Sequence, residues 1–535
     1  MRIDIFRLIN DIENHDRVYV YGAGVYGHYL VKELLSCGVK LQGVLVSDIS
    51  GNPREICGIK VFGFDENDAI ERTDVIIIAI RGTTSSLVKN SIISCSEGIV
   101  LCIDDYCQES YQYEKIEVNK EVERLARIMY LKNKEKYTNV DEAYNDITNN
   151  RGEKNSTSLA VVVGYLSTRV VKILNALSYT IPSIYCFILN EGVIYRDRIN
   201  QIESFGIECH VLNTDDILIS MLLLKPFAIH LFSYASVSNQ MAYIISLKSM
   251  LSTIAFEQYD IAKEMYYNNV DWITEDDLKA EEYCMKNADG LVERGYELIY
   301  FKEKTDYTFS KKCLRFLDYC SSYPVKNSFH EGRLSLCVAT GIPKQSDPYY
   351  RGMMVLADLC EKNDCEFHVY PTVKDDDFYK ECIDKSNSSN CFFFHDPVKY
   401  EVLADTLSQY DYGVIPYELS IDEHNNVFAY ENATLTTTVL KYKYTVSNHY
   451  FDFLDAGLPI IGTIPLVFTE YLESLGVLLR WGLDEYDFEY LVRNRNRLKE
   501  NVIKAKKLLN IDNHIDRLIY FYDTLQSDEV RGLEK

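Results

Sequence analysis

Short apolar runs alternate with amphipathic helical stretches along nearly all of this 535-residue chain. They form three successive series, with TDVIIIAI, SLAVVVGYL and RLSLCVATG as one example from each. Runs of this length, each followed by a helical stretch, are typical of parallel strands that helices cover on both faces. A single hydrophobic core does not extend over so many residues, so we expect about two to four α/β domains.

The charge and the cysteines narrow the class of protein. The formal net charge is −24, whereas duplex nucleic acid and anionic membranes are bound by basic surfaces. We therefore expect no nucleic-acid partner and at most a peripheral membrane contact. Fifteen cysteines without a CxxC pair or a zinc-like spacing indicate a reduced, cytoplasmic protein. The first residues, MRIDIFRLINDIENHD, lack the apolar core of a signal peptide.

A glycine-rich turn marks the first series. In VYVYGAGVYGHYLVKELL a strand runs into Gly22, Gly24 and Gly27 and then into an amphipathic helix. Asp48 ends the next strand. Glycines at this spacing let the backbone approach a pyrophosphate, and an acidic residue at this distance can bind ribose hydroxyls. We expect a nucleotide-binding type of domain here, and the sequence leaves open whether it binds a nucleotide.

The stretch YTVSNHYFDFLDAGLPIIGTIP in the third series predicts a helix and a strand around a ligand site. Ser447 and Asn448 can cap a short helix, His449–Asp455, with their side-chain oxygens. Gly457 suits the left-handed residue that ends a helix, and Ile460–Thr463 is predicted to be a buried strand. The helix would point its N-terminus, which carries partial positive charge, at a phosphate.

These residues resemble a known family. The order of polar, acidic, aromatic and Ala-Gly-Leu-Pro residues is similar to the donor-site helix of GT-B glycosyltransferases, enzymes with two facing Rossmann-like halves. YDYGVIP, about thirty residues earlier, and the run ending in ADGLVE resemble other parts of the same fold. GVLVSDISGNPREICGIKVFGFDE resembles the small nucleotide-sugar-binding Rossmann domains of bacterial sugar-modifying enzymes. The resemblance implies three Rossmann-like α/β units, the last two facing a cleft.

The resemblance also implies a division of the chain and its returning helix. The chain is predicted to begin with an N-terminal Rossmann-like domain at residues 1–110 and a helical and polar connector at 111–156. The acceptor half follows at 157–325 and the donor half at 326–500. A C-terminal helix at 501–528 is predicted to pack back on the acceptor half.

Donor-binding residues follow from the same resemblance. Asp452 matches the acidic residue that binds the donor ribose. The backbone amides at the start of the helix, at Ser447, Asn448 and His449, would hold the diphosphate. Without a metal the remaining phosphate charge must be met by basic side chains. Lys344 and Arg351 flank the loop after the first strand of the donor half and are the candidates.

The catalytic base is less well defined. Retaining members of the family often carry a glutamate eight positions before the helix acid, and here that position is Tyr444. The sequence therefore leaves the stereochemical outcome open. An inverting enzyme needs a general base near the acceptor hydroxyl, and His230, Glu257 and Asp260 lie at predicted strand ends of the acceptor half. Asp375–Asp377 is interpreted as a solvated turn, so we expect no metal site.

Three functional hypotheses remain. The leading one is a metal-independent glycosyltransferase that uses a UDP- or GDP-sugar and a glycan or lipid-linked acceptor in bacterial surface-polysaccharide synthesis. The second is an NAD(P)-dependent oxidoreductase that uses the N-terminal glycines, although no Tyr-x-x-x-Lys pair follows them at a suitable distance. The third is a non-catalytic nucleotide-sugar-binding protein.

Overall fold

A computed structural model shows the fold. It describes residues 2–15, 17–64, 70–95, 98–108, 113–149, 155–193, 196–263, 273–307, 312–321, 332–341, 348–372, 375, 379–416, 420–422, 427–429, 444, 446–462, 467–482 and 486–533. The chain divides into two compact units. The first contains Met1–Asn155, Leu212–Lys225 and Ala242–Leu251, and the second contains Ser156–Val211, Pro226–Met241 and Ser252–Lys535.

A six-stranded sheet forms the centre of the first unit. Its strands, in sheet order, are Glu55–Ile56, Ile59–Gly63, Leu41–Val46, Val18–Tyr21, Val75–Ile78 and Ile99–Cys102. All neighbouring strands are parallel except the short pair at the first edge. The unit's described helices are Ile5–Ile12, Val25–Ser36, Thr83–Cys95, Val118–Lys132, Val140–Asn149 and Thr214–Leu224. The first long strand in chain order lies in the middle, which is the arrangement of a Rossmann-like sheet.

The predicted glycine turn is present between the strand Val18–Tyr21 and the helix Val25–Ser36. Gly22 has a φ of +113°, a conformation that residues with a side chain rarely adopt. A Cβ atom at Gly27 would lie 1.9 Å from the carbonyl oxygen of Gly22. The helix can therefore start this close to the strand only because both residues are glycines.

The segment predicted to connect domains packs within the first unit. Its helices, Val118–Lys132 and Val140–Asn149, contact the helix Thr214–Leu224. The Lys132 Nζ atom lies 2.8 Å from the Glu33 Oε2 atom and 2.8 Å from the Asp216 Oδ2 atom. These side chains are largely buried, so the charged helix is an integral part of a folded unit.

A seven-stranded sheet forms the first half of the second unit. In sheet order its strands are Glu208–Leu212, Ser183–Val193, Asn155–Tyr165, Pro226–Ser233, Thr253–Gln258, Gly290–Glu293 and Cys313–Arg315. The helices Thr168–Ser178, Arg196–Glu203, Glu275–Asn287 and Glu297–Lys304 accompany it, together with the start of Ser238–Ser246. The last strand in this order, Cys313–Arg315, pairs parallel with Gly290–Glu293.

A six-stranded parallel sheet forms the second half of this unit. Its order is Phe392–Phe394, Glu366–Pro371, Ser335–Thr340, Tyr412–Ile415, Ile460–Gly462 and Leu478–Arg480. Its helices are Pro348–Lys362, Lys380–Ser388, Tyr400–Leu407, Asn448–Asp455, Val467–Ser474 and Phe488–Leu508. The short strands Ser420–Asp422 and Val427–Ala429 pair antiparallel. The predicted fold class is confirmed, because the chain forms three Rossmann-like α/β sheets with their helices, one in the first compact unit and two in the second.

The C-terminal part consists of two helices rather than the single helix predicted over residues 501–528. Phe488–Leu508 ends before a short 3-10 turn, Ile511–Asn513, and Ile515–Leu533 begins after it. The Asn510 side chain caps this turn by accepting a hydrogen bond from the Asp512 amide, which favours a break in the helix. The last helix contacts the seven-stranded half, because the Gln526 side chain donates to the Phe227 carbonyl at 2.8 Å. Among the helices that the structure describes, none is long and apolar enough to cross a membrane.

Candidate functional site

The predicted capped helix is present at the carboxyl edge of the second half. It spans Asn448–Asp455, and the Ser447 side chain accepts a hydrogen bond from the His449 amide. Gly457 has a φ of +78°, as expected for the residue that ends the helix. The His449 Nε2 atom lies 3.2 Å from the Thr340 hydroxyl, and Thr340 ends the first strand of this sheet. The helix N-terminus therefore lies where open parallel sheets bind their ligands.

Burial changes the charge of two side chains on this helix. It lowers the pKa of His449 to about 4, so this imidazole is neutral at physiological pH. It also raises the pKa of Asp452 to about 7, although the neighbouring Lys172 opposes the shift. A buried carboxyl group with a pKa close to 7 in a cleft is a feature of functional sites.

Asp452 lines a cavity of about 560 Å³ between the two halves of the second unit. The first half contributes side chains from the helices Thr168–Ser178 and Arg196–Glu203, and the second half contributes Tyr400–Leu407 and Asn448–Asp455. Its polar lining residues include Lys172, Asn175, Gln201, Tyr400, Asp452 and Asp455. This volume is in the range of pockets that bind small molecules and cofactors.

One wall of the cavity is a buried group of ion pairs around Asp455. The Lys172 Nζ atom lies 3.0 Å from the Asp455 Oδ2 atom, and Lys506 Nζ lies 3.3 Å from Oδ1. The backbone amide of Ser321 donates to the same carboxylate at 2.9 Å. Because Lys172 belongs to the first half and Asp455 to the second, this group joins the two halves. No local sequence pattern predicts this group, since its partners are far apart along the chain.

The start of the capped helix also contacts the first half. The Asn448 side-chain amide donates to the Tyr259 hydroxyl at 2.6 Å, and Arg294 donates to the Asn448 oxygen at 3.4 Å. The Arg294 guanidinium lies over the Tyr259 ring, 4.3 Å from its centroid, and 3.7 Å from the Asp260 carboxylate. The structure thus brings the predicted residues Asn448 and Asp260 close together. Arg294, which the sequence reasoning missed, completes this junction.

His230 and Glu257 occupy a different environment from the one predicted. Both are completely buried. The Glu257 carboxylate accepts two hydrogen bonds from Arg169, at 2.7 and 2.9 Å, and His230 Nδ1 lies 2.8 Å from the Tyr522 hydroxyl. Burial and the Arg169 charge lower the pKa of His230 well below its usual value. As a correction, neither side chain faces the cleft in this structure, because Arg169 needs a buried counter-charge and Tyr522 covers the histidine.

The other predicted residues are placed as follows. Arg351 is partly buried on the helix Pro348–Lys362, whereas Lys344 lies outside the described residues. Tyr444, which stands eight positions before Asp452, is buried and donates to the Glu303 carboxylate at 2.6 Å. Asp375 is exposed. Within the part of the chain that the structure describes, no group of three or more His, Cys, Asp or Glu side chains could hold a metal ion.

Asp48 of the first unit is exposed, beyond the end of the strand Leu41–Val46. Its carboxylate accepts a hydrogen bond from the Ser50 amide at 2.8 Å. The glycine turn and Asp48 thus follow neighbouring parallel strands, Val18–Tyr21 and Leu41–Val46, as in dinucleotide-binding domains.

Comparisons with known proteins find structural similarity but no related sequence. No protein-family model and no curated protein matches the chain. A glycosyltransferase from Rickettsia africae aligns with a TM-score of 0.46 and 11% identity, over 70% of this chain and 99% of its own. MnaA of S. aureus, solved with UDP, aligns with a TM-score of 0.44 and 9% identity, over 69% of this chain and 97% of its own. MurG of Acinetobacter baumannii aligns with a TM-score of 0.37 and 10% identity, over 69% of this chain and 99% of its own. The strand orders described above, rather than these similarities, establish the Rossmann-like architecture.

Proposed function

We propose that this protein is a glycosyltransferase that moves a sugar from a nucleotide sugar to an acceptor hydroxyl. The observation that carries the proposal is the position of Asp452. This carboxyl lies one turn into a capped helix at the carboxyl edge of one Rossmann-like half, and it lines a cavity of about 560 Å³ that the other half closes. A cavity of this volume with a carboxyl group in its lining suits a nucleoside, and the start of the same helix suits the diphosphate that follows it.

In this proposal the donor is a UDP- or GDP-sugar. Its ribose hydroxyls donate to the Asp452 carboxylate, and its diphosphate lies against the start of the helix Asn448–Asp455, which carries partial positive charge. Arg351 and Lys344 meet the remaining phosphate charge. The neutral His449 side chain contributes hydrogen bonds rather than charge at physiological pH.

The transfer step needs a base on the acceptor side. For an inverting course we propose Asp260, which lies 3.7 Å from Arg294 at the junction with the helix. The acceptor oxygen forms the new bond to the anomeric carbon while its proton passes to the Asp260 carboxylate. The bond between the anomeric carbon and the phosphate oxygen breaks, and its electron pair leaves with the nucleoside diphosphate. We propose that the reaction needs no metal, so EDTA should leave the rate unchanged.

We place this reaction in the synthesis of a bacterial surface polysaccharide, at the cytoplasmic side, with a glycan or lipid-linked acceptor. The first unit, with Gly22, Gly24, Gly27 and Asp48, would hold a nucleotide or nucleotide sugar without taking part in the chemical step. The glycine turn also favours a second candidate function, that of an NAD(P)-dependent oxidoreductase.

One experiment separates these functions. The purified chain is incubated with a panel of UDP- and GDP-sugars, and release of the nucleoside diphosphate is measured with and without EDTA. The proposal predicts release from one donor class, unaffected by EDTA. Absence of release from every donor, together with reduction of NAD in the presence of a sugar substrate, would favour the oxidoreductase instead.

A further inference from the structure

Three tyrosine rings meet at the carboxyl edge of the seven-stranded sheet. Tyr165 ends the first strand of this half, Tyr234 follows the fourth and Tyr259 follows the fifth. The centroids of the Tyr165 and Tyr234 rings are 5.3 Å apart in a stacked arrangement, and Tyr259 lies 5.7 and 6.3 Å from them. All three side chains are partly exposed. We call this group the tyrosine platform.

The platform lies at the position where an open parallel sheet binds a ligand. The first and fourth strands are neighbours in the sheet, and the chain leaves them in opposite directions. A Cβ atom at Gly164 would lie 2.2 Å from the Val237 side chain, so glycine is needed for the loop after Tyr234 to approach Tyr165. The hydrogen bond of 2.6 Å between Asn448 and Tyr259 places the platform beside the start of the capped helix.

Two buried polar residues that directly precede platform residues in the sequence have side-chain oxygens without a hydrogen-bond partner among the described residues. Ser233 and Gln258 precede Tyr234 and Tyr259, and they are register partners in adjacent parallel strands. They are 2% and 5% exposed. The Ser233 Oγ atom and the Gln258 Oε1 atom have no hydrogen-bond partner among the described residues. Buried side-chain oxygens normally accept a hydrogen bond, so a ligand with hydroxyl donors would supply the bonds that these two oxygens lack.

We propose that the tyrosine platform binds a pyranose ring of the acceptor, so that the acceptor is a saccharide end rather than a lipid phosphate. This inference rests on the proposed glycosyltransferase function. A pyranose presents apolar C–H groups on its face, which pack on aromatic rings, and hydroxyls at its rim, which suit Ser233 and Gln258. A lipid phosphate has no such ring of hydroxyls, and its negative charge would be repelled by the Asp260 carboxylate. Asp260 follows Tyr259 directly, so a rim hydroxyl would lie next to the proposed base.

The test compares aromatic and non-aromatic substitutions at two platform positions. Tyr165→Leu and Tyr234→Leu keep apolar volume and remove the ring, whereas Tyr165→Phe and Tyr234→Phe keep it. Tyr179, which is 77% exposed after the helix Thr168–Ser178, gives the matched control Tyr179→Leu. The probes are methyl glucopyranoside, methyl galactopyranoside and methyl N-acetylglucosaminide, with UDP and GDP as donor-site probes. Binding is measured by saturation-transfer NMR on the full chain, and thermal unfolding verifies that each variant is folded.

At least one pyranoside should bind, with the strongest transfer to the C–H groups of one face. The leucine variants should weaken its binding about tenfold, the size of a lost aromatic contact, and the phenylalanine and Tyr179 variants should weaken it less than about twofold. Nucleotide affinity should not change. The proposal is wrong if no pyranoside binds, if the leucine variants bind the pyranoside as the wild type does, or if they weaken the binding of UDP or GDP instead. Pyranoside binding without any nucleotide binding would leave the platform intact and refute the glycosyltransferase function.

Discussion

Asn448 and Tyr259 lie 189 residues apart in the sequence and share a hydrogen bond of 2.6 Å. The bond joins the first residue of the capped helix to the carboxyl edge of the other half. The buried Lys172–Asp455 ion pair joins the halves a second time, at the end of the same helix. The helix is therefore held from both ends against the first half. Asp452 lies between the two contacts and lines the cavity together with Lys172 and Asp455.

Asp452 is the residue whose replacement should affect nucleotide binding most. We expect Asp452→Asn to weaken binding of the donor nucleotide by about 1–3 kcal/mol, because a charged acceptor of ligand hydrogen bonds is lost. Isothermal titration calorimetry measures this directly. Asp384→Asn, on an exposed part of the helix Lys380–Ser388, serves as the control. Unchanged nucleotide affinity in a folded Asp452→Asn variant would remove this residue from the site.

The same side chain predicts a pH dependence. Burial raises the pKa of Asp452 from 3.8 to about 7, and its ionised form offers two acceptor oxygens to the ribose hydroxyls, whereas protonation turns one of them into a donor. Nucleotide affinity should therefore rise as the pH increases from about 6 to about 8. The free protein should show the opposite trend in stability: its folded state holds this proton more tightly, so the free energy of unfolding should fall between about pH 4 and pH 7. The slope in affinity should be absent in Asp452→Asn, and the fall in its free energy of unfolding should be smaller than in the wild type, to which the raised pKa values of Glu281 and Glu297 also contribute. A wild-type affinity independent of pH over this range would contradict the assignment.

Glu257 should matter for stability rather than for transfer. Without Glu257, the completely buried Arg169 guanidinium keeps the Asp318 carboxylate, 3.2 Å away, as its remaining ion-pair partner. We expect Glu257→Ala to reduce the free energy of unfolding by about 3–5 kcal/mol. Urea denaturation gives this value, and Glu208→Ala, whose side chain is 70% exposed, should change it by less than about 0.5 kcal/mol. A stable Glu257→Ala variant with abolished transfer would instead return Glu257 to the list of catalytic groups.

The sequence predicted the elements well where local rules decide them. The cap at Ser447, the left-handed Gly457 and the turn around Gly22 are fixed by the backbone chemistry of a few neighbouring residues, and the structure has each of them. Groups that depend on distant pairing were missed. Arg169 and Glu257 are 88 residues apart, so nothing local indicated that Glu257 was already paired. The tyrosine platform was missed for the same reason, since three separate strand ends supply its rings.

Replacing Lys132 tests how much buried ion pairs contribute to the stability of the first unit. Its ammonium group is buried between Glu33 and Asp216, and the pairing outweighs the desolvation that burial imposes on its pKa. Lys132→Met should leave two carboxylates uncompensated and reduce the unfolding free energy of this unit by about 3–5 kcal/mol. Hydrogen exchange followed by mass spectrometry can report the loss within Met1–Asn155 and Leu212–Lys225. Lys120→Met, on the exposed face of the same helix, should leave exchange unchanged; equal protection in both variants would show that the buried pairs contribute little.

The most direct test of the central claim is a thermal-shift measurement with UDP, GDP, ADP and NAD on the wild type, Asp452→Ala and Asp48→Ala. A nucleotide at about one hundred times its dissociation constant stabilises the protein that binds it by about 2.7 kcal/mol, which is a measurable shift. We predict that UDP or GDP raises the unfolding temperature of the wild type and of Asp48→Ala, and that it raises the unfolding temperature of Asp452→Ala clearly less. A shift with NAD alone, or a UDP or GDP shift that Asp48→Ala abolishes and Asp452→Ala retains, would contradict a donor site in the cleft.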